Sequence, residues 1–442
     1  MSRKIVIIGA GPAGIEAAVT AASYSNDVTI ITNRRVGEWK LAHTSIWLHA
    51  VGSRSDFDSE EEISAINKMS DEIQKDWSNE KNQFLQSLGV NIVYGVAKFV
   101  SSSLVKVTNT TTGEQSTVGA DKIIIATGSR PMFPTDMKPD GQYIFSYHTL
   151  NQMKTLPKSI LVVGDGAIGF EAVNLFSRLQ LEVTWIVPGE KPVSPIGDPE
   201  IDAFLVHEYE QRGVQIVSGQ FVTAVNKELY GVHAVREDGS RYHAEKAFVT
   251  LGFRSNIDDM NIKATGLYLN TYGLLDCNDF GQTAVESIYI VGDAQMTFAA
   301  VYAMAKARVA ALHAVGQLVE PVEISKIPLS FNEYPQVVAV GNRDDRNPKI
   351  TTRTIQLKEQ NFRGLVVKEN AGFIKLYLNH EGTIIGGSVV GYQAKELIST
   401  IALLIEMKST LDQASTFYGT HPSTSEVLFH GIRHLRRASA QF

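Results

Sequence analysis

The segment GEWKLAHTSIWLHA, residues 37–50, is rich in side chains that take part in chemistry. It holds an amine at Lys40, a hydroxyl at Ser45 and an imidazole at His49. A desolvated lysine can position an anion, and an imidazole changes its charge near neutral pH. No base is spaced in the sequence so as to activate Lys40 or Ser45 as a nucleophile. The segment therefore favours electrostatic or proton-transfer roles.

Two glycine-rich turns repeat one pattern, in IVIIGAGPAGIEAA (residues 5–18) and ILVVGDGAIGFEAV (residues 160–173). Each predicts a buried strand, a G-x-G-x-x-G turn, a helix and a second strand, the unit that places a pyrophosphate at a helix N-terminus. The glycines permit close backbone approach, and the helix dipole favours the negative charge. The residues of these turns that we expect to bind dinucleotides are Gly9, Gly11, Pro12, Ala13, Gly14, Gly164, Gly166, Ile168 and Gly169.

The second strands of both units end without the acidic residue that would bond a ribose 2′-hydroxyl. Thr32 and Val187 occupy those positions. In the first site Thr32 or Asn33 could bond a hydroxyl instead. In the second site the missing carboxylate removes repulsion toward a 2′-phosphate, but the nearest cation is Lys191. The choice between NADH and NADPH stays open.

Length and composition narrow the class of protein. The 442 residues and net charge of −6, with both signs interspersed, predict two to four domains and no nucleic-acid or anionic-membrane partner. The apolar runs are too short for membrane insertion, and no cleavage site follows the N-terminal run, so we expect a soluble cytoplasmic protein. A single cysteine, Cys277, excludes an intramolecular disulfide. The histidines show no metal-ligand spacing, and no metal is expected.

Further segments resemble the FAD-dependent pyridine nucleotide–disulfide oxidoreductases, the family of lipoamide dehydrogenase, glutathione reductase, mercuric reductase and the soluble transhydrogenase. The match runs nearly end to end, through IIIATGSRP (123–131), VTLGFRSN (249–256), SIYIVGDA (287–294), FNEYPQVVAVG (331–341), GFIKLYLN (372–379) and HPSTSE (421–426). The resemblance implies FAD and NAD(P)H as cofactors, with Asp293 bonding the ribityl chain. Other residues that it places at the cofactors are Ala97, Ala126, Thr127, Gly128, Ser129, Gly252, Gly292 and Ala300.

The resemblance also implies the fold class and the domains. We expect an α/β chain with two Rossmann-like dinucleotide-binding domains and a C-terminal α+β interface domain that pairs two subunits. The FAD domain would comprise residues 1–150 and 258–322, the NAD(P) domain residues 151–257, and the interface domain residues 323–442. A homodimer is the expected assembly.

The family's redox disulfide is missing from this chain. Aligning the family's motif places Lys40 and Ser45 at the two cysteine positions and His49 at the lysine that contacts the flavin. Without a dithiol, two electrons from a nicotinamide must leave directly from the reduced flavin. Disulfide reduction by the family's usual relay is therefore excluded on chemical grounds.

Several of these positions have two interpretations. Lys40 could position an anionic acceptor or could fill vacated space, and Ser45 could be a cap or a satisfied hydroxyl. His49 could pair with Glu171, as the family's lysine does, or Glu171 could serve only as a first-turn acid complementing the helix dipole.

His421 and Glu426 match the family's acid–base dyad in identity and spacing, the acid orienting the imidazole. The alternative is a capping box, because Ser423 precedes Glu426 by three residues at the start of a helix. A surviving dyad could protonate a quinone or dioxygen product.

The sequence thus predicts an FAD-dependent NAD(P)H oxidoreductase whose acceptor is a second nicotinamide, a quinone, dioxygen or a dye, with transhydrogenase, diaphorase or quinone reductase activity fitting best. One alternative is a redox-inactive or sensor-type flavin- and nucleotide-binding protein. Another is a reductase whose protein partner brings its own thiols.

Overall fold

The computed structural model of the chain describes residues 3–24, 26–38, 45–49, 60–358 and 361–439. It divides into two compact units. Unit 1 comprises Met1–Ile46, Ile63–Pro134 and Leu251–Val322, and unit 2 comprises Trp47–Glu62, Thr135–Thr250 and Glu323–Phe442.

The elements follow one another along the described chain as strands, α-helices and short 3-10 turns. The strands are β1 Lys4–Ile8, β2 Asp27–Thr32, β3 Asn91–Tyr94, β4 Val96–Ser101, β5 Leu104–Thr108, β6 Gln115–Gly119, β7 Lys122–Ile125, β8 Ser129–Pro131, β9 Ile144–Phe145, β10 Ser159–Val163, β11 Glu182–Ile186, β12 Gln215–Val217, β13 Val222–Glu228, β14 Gly231–Arg236, β15 Arg241–Ala244, β16 Lys246–Val249, β17 Phe253–Ser255, β18 Ile288–Ile290, β19 Leu329–Glu333, β20 Gln336–Gly341, β21 Thr351–Gln356, β22 Gly372–Leu378 and β23 Ile384–Gly391. The α-helices are α1 Pro12–Ala22, α2 Glu60–Ser87, α3 Gly166–Arg178, α4 Pro199–Gln211, α5 Ala300–Ala314, α6 Phe362–Val367, α7 Ala394–Glu406, α8 Leu411–Ala414 and α9 Ser425–Ser439. The 3-10 turns are Thr135–Met137, Leu150–Gln152, Asp258–Met260, Ile262–Thr265, Gly292–Gln295 and Ile324–Lys326. Residues 45–49 are also helical.

Unit 1 is built on a parallel sheet with the described strand order β18-β7-β1-β2-β3. Strand β1 is apolar and is buried almost throughout, as expected of a strand covered on both faces. Helices α1 and α5 bury alanines in a shared core, including Ala17, Ala18, Ala307 and Ala310, and such small side chains let helices approach closely. The antiparallel sheet β4-β5-β6 and the pair β8–β17 complete the described sheets of this unit.

Unit 2 repeats the parallel arrangement in the described sheet β12-β11-β10-β16-β9, with the antiparallel meander β13-β14-β15 beside it in the chain. Its C-terminal part is an antiparallel sheet of order β19-β20-β23-β22-β21, packed with α7 and α9 around an apolar core that includes Ile374, Ile401 and Leu428. The predicted fold class is confirmed, since two parallel βαβ sheets and a C-terminal α+β portion are present. Among the described residues, no helix combines the length and the apolar character that a membrane crossing requires.

Candidate functional site

The two glycine turns are built alike, each joining the central strand of a parallel sheet to a helix. A Cβ atom on Gly9 would overlap the carbonyl oxygen of Ala126, and one on Gly14 would overlap that of Gly9. In the second turn, a Cβ on Gly164 would lie 2.6 Å from the carbonyl oxygen of Thr250, and one on Gly169 would lie 2.6 Å from that of Gly164. The first and third glycines of both turns are thus required by packing within the fold.

The middle glycine of each turn faces open space instead. A Cβ on Gly11 would come no closer than 3.7 Å to the backbone, at Glu38, and one on Gly166 would meet nothing within 4 Å. The N-cap residues, Gly11 and Asp165, provide no side-chain hydrogen bond to the first-turn amides in the described structure. Those amides and the helix dipole form a setting for an anion at each turn. Both turns therefore fit a dinucleotide pyrophosphate.

Asp165 gives the second turn an electrostatic feature that the first turn lacks. Burial raises the pKa of this carboxyl above its usual range. An ionised side chain here would repel a phosphate at the N-terminus of α3, and a protonated one would not. Ile168 in the same turn is buried, and Glu171 one turn further along α3 is half-buried.

The ends of the second strands differ from each other. Thr32 is buried, and its hydroxyl donates to the carbonyl oxygen of Arg34 at 3.1 Å and accepts from the Arg34 amide at 3.2 Å, whereas the side chain of Asn33 is exposed. Val187 is fully buried. The amide of Gly37 donates to the carbonyl oxygen of Ala10 at 2.8 Å. This bond brings the backbone of Gly37 and Glu38 to the first turn. The carboxylate of Glu38 is therefore a candidate for bonding a ribose hydroxyl, although Glu38 lies beyond the end of the second strand.

The predicted FAD residues that follow β7 lie close to the first turn. The amide of Ala126 donates to the carbonyl oxygen of Ile8 at 2.8 Å, and Asn256 donates to the carbonyl oxygen of Thr127 at 3.1 Å. The hydroxyl oxygen of Thr127 is buried and has no hydrogen-bond partner within the described ranges. A buried hydroxyl without a partner is uncommon in native proteins. The orphaned oxygen of Thr127 fits a site that a polar ligand completes.

Other predicted FAD residues also belong to unit 1. Gly292 meets α1 so closely that a Cβ on it would lie 3.0 Å from the Cβ of Ala13. Asp293 is half-buried and accepts a hydrogen bond from the amide of Phe298 at 3.0 Å. The remaining members are the backbone turn residues Gly128 and Gly252, the buried Ser129 and Ala97, Pro12 at the first position of α1 and the exposed Ala300 at the first position of α5.

Arg130 was missed by the sequence reasoning, although it lies inside the IIIATGSRP segment. Its guanidinium donates to the carbonyl oxygen of Ser255 at 3.0 Å and to the side-chain oxygen of Asn256 at 3.1 Å, and it pairs with Asp258. Three donors in a fixed fork thus join the segment after β7 to the segment after β17. The presence of an arginine within IIIATGSRP was the sequence feature that could have identified Arg130.

His421 and Glu426 are brought into direct contact. Nδ1 of His421 lies 2.7 Å from Oε2 of Glu426. The Ser423 hydroxyl donates to the carbonyl oxygen of Thr420 and lies 2.7 Å from the Ser425 hydroxyl, and α9 begins at Ser425. The glutamate carboxylate is therefore engaged with the imidazole, and the contacts of Ser423 are not those of a capping-box serine.

The segment that replaces the family's dithiol is only partly described. Lys40 lies outside the described residues. Ser45 and His49 belong to the helical residues 45–49, where Ser45 is half-buried and His49 exposed, and Trp47 between them is fully buried. The pairing of His49 with Glu171 stays a prediction.

Comparison with protein families gives two matches that cover most of the chain. Residues 3–314 match the family model described as pyridine nucleotide-disulphide oxidoreductase. Residues 335–430 match the model of that family's dimerisation domain.

Relatives with names span nearly the whole chain. An NAD(P)H dehydrogenase (quinone) of Mycobacterium tuberculosis is 27% identical over 467 residues, covering 98% of this chain and 94% of the relative. Dihydrolipoyl dehydrogenase 2 of Haloarcula marismortui is 29% identical over 454 residues, covering 96% and 95%.

Solved structures agree in fold over the same length. The crystal structure of LpdA from Mycobacterium tuberculosis superposes with a TM-score of 0.92 at 25% identity, covering 98% of this chain and 100% of that one. The HOCl-induced flavoprotein disulfide reductase RclA from Escherichia coli gives a TM-score of 0.86 at 19% identity, covering 97% and 99%, and shares the fold.

Proposed function

Because the chain belongs to the pyridine nucleotide-disulphide oxidoreductase family, we propose that it carries electrons from NAD(P)H to a quinone without a protein disulfide. As an FAD-dependent NAD(P)H oxidoreductase it uses FAD and NAD(P)H. The overall reaction is NAD(P)H + H⁺ + quinone → NAD(P)⁺ + quinol, in which the nicotinamide is oxidised by two electrons and the quinone gains two electrons and two protons.

The observation that carries this proposal is the single cysteine of the chain. A disulfide relay needs two thiols, and Cys277 has no second thiol in the same chain. Burial raises the pKa of the Cys277 thiol, and Gln295 donates a hydrogen bond to its sulfur. A protonated, half-buried thiol is a poor nucleophile. The acceptor must therefore be one that needs no protein thiol.

The chain's residues have distinct parts in this proposal. The first glycine turn, the Thr127 hydroxyl and Asp293 would hold FAD, and the turn at Gly166 would hold the NAD(P)H pyrophosphate. Bound FAD supplies the two-electron exchange between nicotinamide and acceptor. The fixed backbone amides of both turns would neutralise phosphate charge and orient the two dinucleotides.

His421 is proposed to supply a proton to the quinone oxygen. Its contact with Glu426 orients the ring so that Nδ1 faces the carboxylate and Nε2 is left to exchange a proton with a substrate. The match to a dimerisation domain supports a homodimer as the working assembly. Glu426 acts through the imidazole and is a positioning residue.

A quinone is favoured over the other acceptors by the relative named NAD(P)H dehydrogenase (quinone), which aligns along nearly the whole chain. The relatives named dihydrolipoyl dehydrogenase point to dithiol chemistry. That alternative lacks the second cysteine that it would require here.

Several expectations remain part of the proposal. These are the domain limits 1–150 with 258–322, 151–257 and 323–442, the pairing of His49 with Glu171, the participation of Lys40 or Ser45, and a cytoplasmic location.

Anaerobic stopped-flow measurements test the proposed function. Purified FAD-loaded protein is mixed with NADH or NADPH, and the reduced protein is then mixed with a soluble quinone, dioxygen, a nicotinamide analogue or lipoamide. We expect bleaching of the flavin band within seconds and reoxidation at least tenfold faster with quinone than with lipoamide. Failure of both nucleotides to bleach the flavin, or faster reoxidation by lipoamide, would overturn the proposal.

A further inference from the structure

The meander β13-β14-β15 brings three potential metal ligands to one face. In its register Asn226 pairs with His233, and His233 pairs with His243. Directly paired residues of neighbouring strands share a face, and Glu228 shares it with Asn226 because alternate residues of a strand point the same way. Val232 and Ala234, which flank His233, are buried on the opposite face. Two imidazoles and one carboxylate therefore converge on the outer face.

The distances between these groups are close to those within a coordination sphere. Nδ1 of His233 lies 2.8 Å from Oε1 of Glu228, and Nδ1 of His243 lies 3.3 Å from Oε2. One donor atom from each of the three residues falls within 4.8 Å of the others. Ligands at about 2.0–2.2 Å from a tetrahedral Zn²⁺ are separated by roughly 3.3 Å. The 3.3 Å separation of His243 from Glu228 matches this value, and the 2.8 Å separation of His233 from Glu228 is about half an ångström shorter.

The His233 ring has an arrangement that ordinary hydrogen bonding does not satisfy. Its side chain is only 12% exposed, and Nδ1 is buried. Although Glu228 is near, Nδ1 has no hydrogen-bond partner of acceptable geometry among the described residues. The other ring nitrogen, Nε2, lies 3.4 Å from the side-chain amide of Asn226. With the amide oxygen turned toward it, Nε2–H would donate and Nδ1 would present a lone pair, as metal-binding histidines commonly do.

Charge also favours a cation at this position. Glu228 contributes the carboxylate, and Lys227, which lies on the opposite face by strand alternation, pairs with Asp140. We propose that Glu228, His233 and His243 bind a divalent metal ion of the Zn²⁺ class, with Asn226 as a positioning residue. Nitrogen and carboxylate donors suit Zn²⁺ and Cu²⁺ far better than Mg²⁺. Three protein ligands leave a position for water.

Metal binding here would join three strands whose contacts are otherwise hydrogen bonds and side-chain packing. Because no residue of the cluster belongs to either glycine turn, the metal proposal does not rest on the proposed electron transfer.

The test is a Zn²⁺ titration of the FAD-loaded protein after removal of metals with a chelator. We expect one saturable Zn²⁺ per chain, binding at least tenfold tighter than Mg²⁺, and a rise in Tm on addition of Zn²⁺. His243→Gln and Glu228→Gln change exposed side chains and should each weaken binding tenfold or more. Asn226→Ala should weaken it by about 10–100-fold through the loss of ring orientation.

His380→Gln is the matched control, because His380 is an exposed histidine whose Nε2 lies 3.8 Å from the neighbouring carboxylate of Glu381. It should leave Zn²⁺ binding unchanged. Equal affinity in wild type and the His243→Gln/Glu228→Gln double variant would overturn the site. So would loss of binding in His380→Gln with the cluster intact.

Discussion

Nδ1 of His421 lies 2.7 Å from Oε2 of Glu426, and the two side chains differ sharply in burial, at 73% and 7% exposed. A buried carboxylate holds Nδ1 of an exposed ring, and this contact leaves Nε2 unused. The ring is oriented by a fixed group and is still accessible to a substrate. This arrangement suits proton transfer better than a purely structural contact does.

Removing the imidazole should affect acceptors according to their need for protons. His421→Gln should lower kcat with a quinone by about 100-fold or more, because positioned acid–base catalysis contributes about 10²–10⁴-fold. Reduction of the flavin by NAD(P)H and turnover with ferricyanide, which takes one electron and no proton, should stay near wild type. Steady-state and stopped-flow rates with the two acceptors measure this difference.

Glu426→Gln keeps a hydrogen-bond acceptor but removes the charge. Its kcat with quinone should fall less than that of His421→Gln, and the pH profile of kcat should change. Ser423→Ala in the same loop is the control and should leave kcat unchanged with both the quinone and ferricyanide. Equal loss with quinone and ferricyanide in His421→Gln would contradict the proton-donor role.

The carboxyl of Asp165 predicts a pH dependence of nucleotide binding. Burial raises its pKa, so its charged fraction begins to fall at a higher pH than for an ordinary aspartate. As the pH falls, neutralisation removes repulsion toward the pyrophosphate, and the Kd for NAD(P)H should decrease. Asp165→Asn should bind more tightly at neutral pH and lose this dependence. Fluorescence titration between pH 5 and pH 8 measures it, and identical pH profiles in both proteins would refute the role of Asp165.

The dinucleotide units were predictable because their signals are local. A short apolar strand, three glycines at fixed spacing and a following helix lie within one stretch of chain, and the crowding at Gly9 and Gly14 shows why only glycine serves there. The contact of His421 with Glu426 could be predicted for the same reason, since the two residues lie only five positions apart in the sequence.

Features that depend on long-range register could not be predicted in this way. Glu228, His233 and His243 have no metal-ligand spacing in the sequence, because strand pairing across two turns brings them together. The hydroxyl of Thr32 bonds the backbone of Arg34 and not a ligand group. This partner is determined by the local turn and cannot be predicted from the residue type. Burial likewise depends on tertiary packing, which places Lys375 in the interior.

The middle glycines provide a separate test of the two nucleotide sites. Gly11→Ala adds a methyl that the fold accommodates, since its nearest neighbour would lie 3.7 Å away, but the methyl would stand where a pyrophosphate approaches the backbone. FAD affinity should fall by roughly tenfold or more, which is about 1.4 kcal/mol. Gly166→Ala should weaken NAD(P)H binding and leave FAD bound, and it should also lower the free energy of unfolding by about 1–2 kcal/mol, because Gly166 has a φ of +70° that a residue with a Cβ adopts only under strain. Flavin content and nucleotide titration measure binding, and circular dichroism measures folding. A folded Gly166→Ala variant that loses FAD, while Gly11→Ala keeps it, would contradict the assignment of FAD to the first turn.

A buried ion pair within unit 2 should contribute strongly to stability. Nζ of Lys375 lies 2.9 Å from both carboxylate oxygens of Asp198 and 2.8 Å from Oε2 of Glu200, and the Lys375 and Asp198 side chains are only 6% and 5% exposed. Burial opposes ionisation of both groups. The hydrogen bonds and charge of the pair outweigh it, raising the pKa of Lys375 and lowering that of Asp198.

Lys375→Met should therefore lower the free energy of unfolding by about 3–5 kcal/mol, because it leaves Asp198 buried without its cation. The Asp198 contribution is present above its unfolded pKa and is lost as the pH falls through the lower folded value, so the difference from wild type should shrink in acid. Lys227→Met removes a more exposed partner of Asp140 and should cost no more than about 1 kcal/mol. Urea unfolding at pH 7 and below pH 4 compares the three proteins. A Lys375→Met effect that equals the Lys227→Met effect, or that does not diminish in acid, would show that the buried pair lacks this stabilising role.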